Sequence, residues 1–154
     1  MEKIVVRKAL IKDAKEIHRI INSFSQKGIM LSRSLLDIYE HIRGFWVAER
    51  DRKISGCAAL HIFWKDLSEI RSLAVEKKHQ HKGVGRSLLS EAVKEAESLK
   101  IKKVFCLTYN PSFFKKSGFK IISKDKLPHK IWADCIHCPK FPKCDETAML
   151  IKTK

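Results

Sequence analysis

The sequence predicts a mixed α/β domain, which is an α+β fold with a central sheet flanked by helices. Segments with strand and helix periodicity follow one another in the order β-α-α-β-β-β-α-β-α-β-β. Three consecutive strands in the middle of the chain are joined by short polar segments, which is typical of an antiparallel meander. The 154 residues suit one domain, spanning 1–154, with a single core.

The first half of the chain predicts two helices between strands. A strand at 4–10 precedes an amphipathic helix at 13–24, which Asp13 can cap with Glu16 supporting the first turn. A second helix is expected at 30–42, capped by Ser32 or Ser34. The meander strands follow. They lie at 44–50, 54–63 and 68–76, with the polar RDRK segment as the first hairpin turn.

The second half predicts a long helix at 83–99, whose apolar residues recur on one face. A buried strand at 103–110 and a short helix at 111–117 follow, the latter with Pro111 at its first position. Further strands are expected at 119–123 and 147–152.

The composition limits the classes of function. The net charge of +15 would attract an anionic small substrate or a nucleic acid. The lysines and arginines are scattered and form no basic–aromatic recognition motif, so nucleic-acid binding is the less favoured alternative. No run of about 18 apolar residues and no signal peptide is visible, so we expect no membrane association and a cytoplasmic location.

A glycine-rich turn, HQHKGVG at 79–85, leads from the third meander strand into the long helix. Such a turn leaves backbone N–H groups unpaired at the positive end of the helix dipole, and that arrangement suits a pyrophosphate. Gly83 and Gly85 carry no Cβ to obstruct a phosphate. The alternative is that both glycines serve backbone conformation alone.

The segment LAVEKKHQHKGVGRSLL resembles the acetyl-CoA motif of the GNAT N-acetyltransferases, with Gln80, Gly83 and Gly85 at the motif positions. The order of elements is similar to that fold, which has a mixed, mostly antiparallel sheet. The resemblance implies acetyl-CoA as the acyl donor, with its pyrophosphate held by backbone amides. It also implies a pantetheine arm lying along a strand that splays from its neighbour. The residues expected at this site are Leu73, Ala74, Val75, Gln80, His81, Lys82, Gly83, Val84, Gly85, Arg86 and Asn110.

The same resemblance implies catalytic roles. Glu69 corresponds to the family glutamate that takes the amine proton through water, and the Leu73 N–H would stabilise the oxyanion. Strand periodicity places Glu69 and Leu73 on the same sheet face. The alternative is that Glu69 merely pairs with Arg71 or a lysine.

The general acid is left open. The position of the usual family tyrosine holds Phe114, so Tyr109, with Ser112 behind it, is the candidate. Alternatively Tyr109 only packs at the strand end, and the thiolate leaves without an acid because its pKa is about 8.5.

Stretches such as QKGIMLSRS and LTYNPSFFKKSGF resemble the acetyltransferase part of amino-acid N-acetyltransferases, especially N-acetylglutamate synthase. The relatives usually carry an amino-acid-kinase-like domain in front, so this chain looks like the short, free-standing form. An amino-acid substrate needs cations for its carboxylates. The candidates are Arg33, Arg71 and Lys130, each of which is alternatively a surface charge.

A cysteine-containing loop is expected at about 129–146. Cys135, Cys138 and Cys144 have C-x2-C-x5-C spacing, which is compatible with a zinc site completed by a histidine. A second cysteine pair is missing, so a reduced, proline-stiffened loop over the substrate pocket is the alternative.

The sequence leaves the amine acceptor open: L-glutamate is favoured, with another amino acid, a polyamine or a protein amine as alternatives. A polyamine is disfavoured because a charge of +15 repels a polycation. Small-molecule substrates are the expected partners, and the sequence does not decide whether the chain forms a homodimer.

Overall fold

The computed structural model describes residues 3–127 and 146–154, and seven strands within these ranges form one sheet. The strands are β1 Ile4–Lys8, β2 Phe45–Arg50, β3 Lys53–Trp64, β4 Leu67–Val75, β5 Lys103–Thr108, β6 Lys120–Ile121 and β7 Thr147–Lys152. The helices are α1 Ala14–Ser25, α2 Leu35–Glu40, α3 Val84–Ser98 and α4 Pro111–Lys115. The predicted order of elements is therefore confirmed.

The sheet is mixed and mostly antiparallel, as predicted. Its strand order is β1-β2-β3-β4-β5-β7-β6, and β4 with β5 is its parallel pair. The long helix α3 connects these two parallel strands, because a parallel pair needs a crossover from one end of the sheet to the other. The β2–β3 turn has positive φ at both Asp51 and Arg52, which matches the right-handed twist of a hairpin.

The parallel pair holds together over a short distance only. Pairing runs from Leu67 with Lys103 to Glu69 with Phe105 and then ends, although both strands continue. The ends of β4 and β5 therefore diverge and leave a gap in the middle of the sheet. This is the splay that the family resemblance implies.

Helices cover the sheet on both faces. Apolar residues of α1 and α2 pack with Val47, Cys57, Ala59 and Ala74. On the opposite face α3 packs through Leu88 and Leu89 and its alanines against the other side of the same strands. The side chains alternate between the two layers because successive strand residues point to opposite faces.

Element boundaries differ most from the prediction at α2 and β6. Helix α2 begins after Ser34, whose Oγ accepts a hydrogen bond from the Asp37 N–H at 3.0 Å, so the residues before it form a loop. Strand β6 covers two residues where five were expected. Pro111 does lie in the first turn of α4, as predicted. No helix in the described part of the chain is both long and apolar enough to cross a bilayer.

Asp13 precedes α1, but the prediction that its side chain caps the helix is wrong. Its carboxylate accepts hydrogen bonds from Arg7 at 2.8 and 3.1 Å and from the Leu10 N–H at 2.7 Å. It thereby ties β1 to the turn before the helix. Burial alone would raise the pKa of Asp13, yet the bonds from Arg7 and Leu10 hold that pKa below its ordinary value.

We expect Asp13→Asn to lower the free energy of unfolding by about 2–3 kcal/mol, because the substitution removes the nearer of the two carboxylates that pair with Arg7 and leaves only Glu49, at 3.4 Å. A carboxylate with a depressed folded pKa stabilises the native state above its unfolded pKa of about 4, and this contribution is lost as the pH falls through the folded value. Urea unfolding of both proteins between pH 7 and pH 3 measures this. The difference in the free energy of unfolding between the original protein and Asp13→Asn should become smaller at acid pH.

Asp125→Asn is the matched control, because Asp125 is exposed on the surface. It should leave the free energy of unfolding within about 0.5 kcal/mol of the original value. A difference for Asp13→Asn that stays constant from pH 7 to pH 3 would contradict the role assigned to the Asp13 carboxylate.

Candidate active site

An open cleft of about 900 Å³ occupies the gap between β4 and β5. Its walls come from β4 (Glu69 to Val75), the end of β5, the turn before α3, α4 and the loop after α1. Predicted site residues that border it are Arg33, Glu69, Arg71, Leu73, Ala74, Val75, Gln80, His81, Gly83, Gly85, Arg86, Tyr109 and Asn110. The fold thus brings together residues that lie up to 77 positions apart in the sequence.

A β-bulge interrupts β4 within the cleft wall. Cys57 pairs with Ala74 and Ala59 pairs with Arg71, so two residues of β4, Ser72 and Leu73, oppose one residue of β3. Ser72 has a φ of +55°. The bulge takes Ser72 and Leu73 out of the regular ladder with β3, and both residues border the cleft.

The bulge corrects one prediction. Ile70 and Leu73 pack in the same cluster under α3, although residues three apart in a regular strand face opposite sides. Glu69 adjoins Ile70 and therefore faces the other side, toward α1. The expectation that Glu69 and Leu73 share a sheet face is wrong, because the extra residue reverses the alternation between them.

Glu69 is the last residue of β4 that pairs with β5, and the cleft begins at this point. It is 9% exposed, and its Oε1 accepts hydrogen bonds from the Arg71 guanidinium at 2.8 and 3.0 Å. The Arg71 guanidinium also lies 5.6 Å from the ring centre of Phe63. The alternative ion pair considered for Glu69 is therefore present, and it places a shielded pair of opposite charges in the cleft wall.

The turn before α3 presents backbone to the cleft. The Gln80 side chain donates from Nε2 to the Val75 carbonyl at 2.9 Å, which fastens the turn to the end of β4. His81 and Gly83 have φ values of +63° and +86°. Since the first N–H groups of a helix lack intrahelical partners, the start of α3 offers hydrogen-bond donors and a positive dipole end to an anion.

The two motif glycines serve different purposes. A Cβ on Gly83 would meet nothing within 4 Å, so this position opens onto free space in front of the helix. A Cβ on Gly85 would lie 3.3 Å from the ring of Phe113, which packs across from α4. Gly83 therefore fits the expected room for a phosphate, whereas Gly85 leaves room for the close approach of the Phe113 ring.

Two residues of the predicted cofactor set do not line the cleft with their side chains. The Val84 side chain is buried with Ala58 and Leu88 beneath the helix, and Lys82 is exposed outside the cleft. Val84 can therefore contribute only its backbone N–H group to the cleft.

Tyr109 and Asn110 follow β5 on the other wall. Tyr109 is 40% exposed and borders the cleft. The Asn110 Oδ1 accepts hydrogen bonds from the Phe113 N–H and the Ser112 hydroxyl, so it caps α4. Phe114 is buried and packs edge-on against the rings of Phe113 and Phe119, so its ring contributes to the packing beneath α4.

Sequence reasoning missed part of the cleft lining. Phe24, at the end of α1, and Met30, in the following loop, border the cleft beside Arg33. Lys116 of the α4 end and Glu146 border it as well. The amphipathic pattern of α1 indicated a buried face for Phe24, but no pattern indicated that this face ends at a cleft.

Lys130, Cys135, Cys138 and Cys144 lie outside the described residues. Within 3–127 and 146–154, no three histidine, cysteine, aspartate or glutamate side chains are grouped as metal ligands would be. The zinc hypothesis for the cysteine-containing loop therefore stays a prediction.

Comparison with known proteins identifies the family. The family model described as an acetyltransferase (GNAT) domain matches residues 41–121, which is more than half of the chain. The chain belongs to the GNAT acetyltransferase family. The matched part of this acetyltransferase contains Glu69, the bulge, the glycine turn, α3 and β5.

Individual relatives are similar over most of this acetyltransferase. It is 45% identical to an uncharacterized N-acetyltransferase of Chlorobaculum tepidum over 94% of both chains. It is 36% identical to an amino-acid acetyltransferase of Mycobacterium tuberculosis over 75% of this chain and 67% of the relative.

A solved structure of N-acetylglutamate synthase from Neisseria gonorrhoeae, complexed with coenzyme A and N-acetyl-glutamate, superimposes with a TM-score of 0.89 at 28% identity. The match covers 99% of this acetyltransferase and 35% of that relative. The chain thus spans about a third of the length of the synthase.

We expect Gly83→Ala to weaken coenzyme A binding about tenfold, since a Cβ would enter the space in front of the α3 amides and strain the positive φ. Isothermal titration calorimetry with coenzyme A measures this. Gly28→Ala is the matched control, because Gly28 also has a positive φ of +73° and no atom within 4 Å of its Cβ position.

Both alanine variants should lose about 1 kcal/mol of stability from backbone strain. Only Gly83→Ala should lose affinity for coenzyme A. Equal affinity in the two variants would show that the cofactor phosphates lie elsewhere.

Proposed function

We propose that this acetyltransferase transfers the acetyl group of acetyl-CoA to the α-amino group of an amino acid, with L-glutamate as the acceptor. The observation that carries the proposal is the common location of one carboxylate, Glu69, and two arginines, Arg33 and Arg71, in the cleft at the strand divergence. Formation of N-acetylglutamate would assign the protein to arginine biosynthesis.

The cofactor side of the proposal rests on the turn and the bulge. The α3 amides, with Arg86 beside them, suit the pyrophosphate because they combine hydrogen-bond donors with positive charge. The residues from Leu73 to Val75 do not pair with β5, so this edge of β4 is open to the pantetheine arm. The Leu73 N–H would donate to the thioester oxygen and stabilise the negative charge that develops there during attack.

The acceptor side rests on charge. Arg33 and Arg71 border both the main cleft and an adjoining cavity of about 400 Å³. The charged and imidazole residues of that cavity are Arg33, Asp37, His41, Arg43, His61, Arg71 and Glu95. Three arginines around one cavity suit an acceptor that carries carboxylates, since a guanidinium binds a carboxylate through two hydrogen bonds.

Acetyl transfer requires a neutral amine. The Glu69 carboxylate would accept a proton from the ammonium group through a water molecule, and the amine would then attack the thioester carbon. The hydrogen bonds from Arg71 fix the orientation of the Glu69 carboxylate. Tyr109 borders the cleft as the candidate donor to the leaving thiolate.

The name of one relative and the ligands of another support the acceptor. An amino-acid acetyltransferase is 36% identical to this chain. The superimposable synthase binds coenzyme A together with N-acetyl-glutamate, which is the product expected here. A panel of amino acids, polyamines and peptides with acetyl-CoA and a free-thiol readout tests the proposal. Turnover of a peptide or polyamine in preference to glutamate would overturn it.

We expect Glu69→Gln to lower kcat at pH 7 by about 10²- to 10⁴-fold, because the amide cannot accept the amine proton. The affinity for acetyl-CoA should not change. Steady-state kinetics from pH 6 to pH 9 measure this, and the loss should diminish at high pH, where the free amine becomes abundant.

Arg71→Gln is the control, because it removes the ion pair while keeping the Glu69 carboxylate. It should retain more turnover than Glu69→Gln because the proton acceptor is still present, whereas its KM for the acceptor should rise because Arg71 is also proposed to bind the acceptor carboxylate. If both variants lost the same activity at every pH, Glu69 would serve only as the partner of Arg71.

We expect Arg33→Ala to raise KM for glutamate about 10- to 100-fold, since a charge-assisted hydrogen bond to the acceptor is lost. The KM for acetyl-CoA should stay within about twofold. Arg52→Ala is the matched control, because Arg52 is exposed in the β2–β3 turn. A raised KM for acetyl-CoA with an unchanged KM for glutamate would refute the assignment.

A further inference from the structure

Cys57 of β3 lies behind the bulge of β4. Its side chain is fully buried in the cluster that α1 forms with the sheet. The thiol donates a hydrogen bond to the carbonyl oxygen of Ser72, with an Sγ–O distance of 3.4 Å. The sequence alone suggests no more than a small buried hydrophobe at this position.

Ser72 needs such support. Its φ of +55° is uncommon for a residue that has a Cβ, and strained conformations of this kind persist only where surrounding contacts fix them. The carbonyl of Ser72 belongs to the same peptide group as the N–H of Leu73. A bond that holds this carbonyl therefore also sets the direction of the Leu73 amide, because the peptide group is planar.

The thiol keeps its proton under working conditions. Burial raises the pKa of Cys57 to about 12. The sulfur therefore remains a donor, although a weak one, across the pH range in which an amine can be acetylated.

We propose that Cys57 is a positioning residue for acetyl transfer: its thiol holds the Ser72–Leu73 peptide group so that the Leu73 amide faces the thioester oxygen. The inference rests on the proposed function, which gives the Leu73 amide its role. Cys57 itself does not border the cleft and touches no substrate.

The test compares Cys57→Ala, which removes the donor, with Cys57→Ser, which keeps one. Cys106→Ala is the matched control, because Cys106 is also a buried strand cysteine but packs on the α3 side. Thermal unfolding of all three variants measures the general cost of changing a core cysteine. Two further measurements isolate positioning: the ratio of acetyl-CoA affinity to coenzyme A affinity, and the amide resonance of Leu73 in ¹⁵N spectra.

For Cys57→Ala we expect kcat to fall about fivefold, which is the effect of one weak hydrogen bond on a barrier. The KM for the acceptor should not change. The ratio of acetyl-CoA to coenzyme A affinity should fall, and the Leu73 resonance should shift. Cys57→Ser should recover most of kcat, whereas Cys106→Ala should change stability alone.

The inference is overturned if Cys57→Ala keeps normal kcat and the Leu73 resonance of the original protein. It is also overturned if Cys57→Ser is as impaired as Cys57→Ala, or if Cys106→Ala lowers kcat equally. The affinity ratio and the resonance require no acceptor. They therefore test the role of Cys57 even if the amino-acid panel shows no acetylation and the proposed function fails.

Discussion

The separation of β4 from β5 after Glu69 is the constraint on which the rest of the structure depends. Parallel pairing stops at Glu69 and Phe105, although both strands continue. Without the gap, β4 would pair with β5 along its whole length, and no cleft would lie between the two strands. The divergence also fixes the position of Glu69. Glu69 is held in register by its pairing with Phe105, whereas the following residues of β4 face the open cleft.

The charges of the cleft are arranged in local pairs within a strongly basic chain. Glu69 pairs with Arg71 at 2.8 Å, and Arg33 lies 3.9 Å from Asp37. Each pairing reduces the cost of bringing a charge into a partly buried wall. The net charge of +15 adds a long-range field that draws anionic substrates toward this wall.

Much of this architecture follows from local sequence signals. Periodicity predicts each strand and helix, and the glycine turn predicts the helix N-terminus that faces the cleft. The bulge at Ser72 was not predictable, because a serine in a strand pattern gives no sign of positive φ, and the relative facing of Glu69 and Leu73 was therefore wrong. The role of Asp13 was also missed, since its partner Arg7 comes from a neighbouring element. A helix-start pattern covers only the cap and the first turn, so it gives no sign that the cap residue pairs with the preceding strand.

The contact between Phe113 and Gly85 has a consequence for the variation of this family. The second glycine of the motif is interchangeable with alanine in the family pattern, yet here an added methyl group would press on the Phe113 ring. The two positions therefore constrain each other across the cleft. An alanine at position 85 would therefore require the Phe113 ring to shift by a few tenths of an ångström, or a smaller side chain on α4.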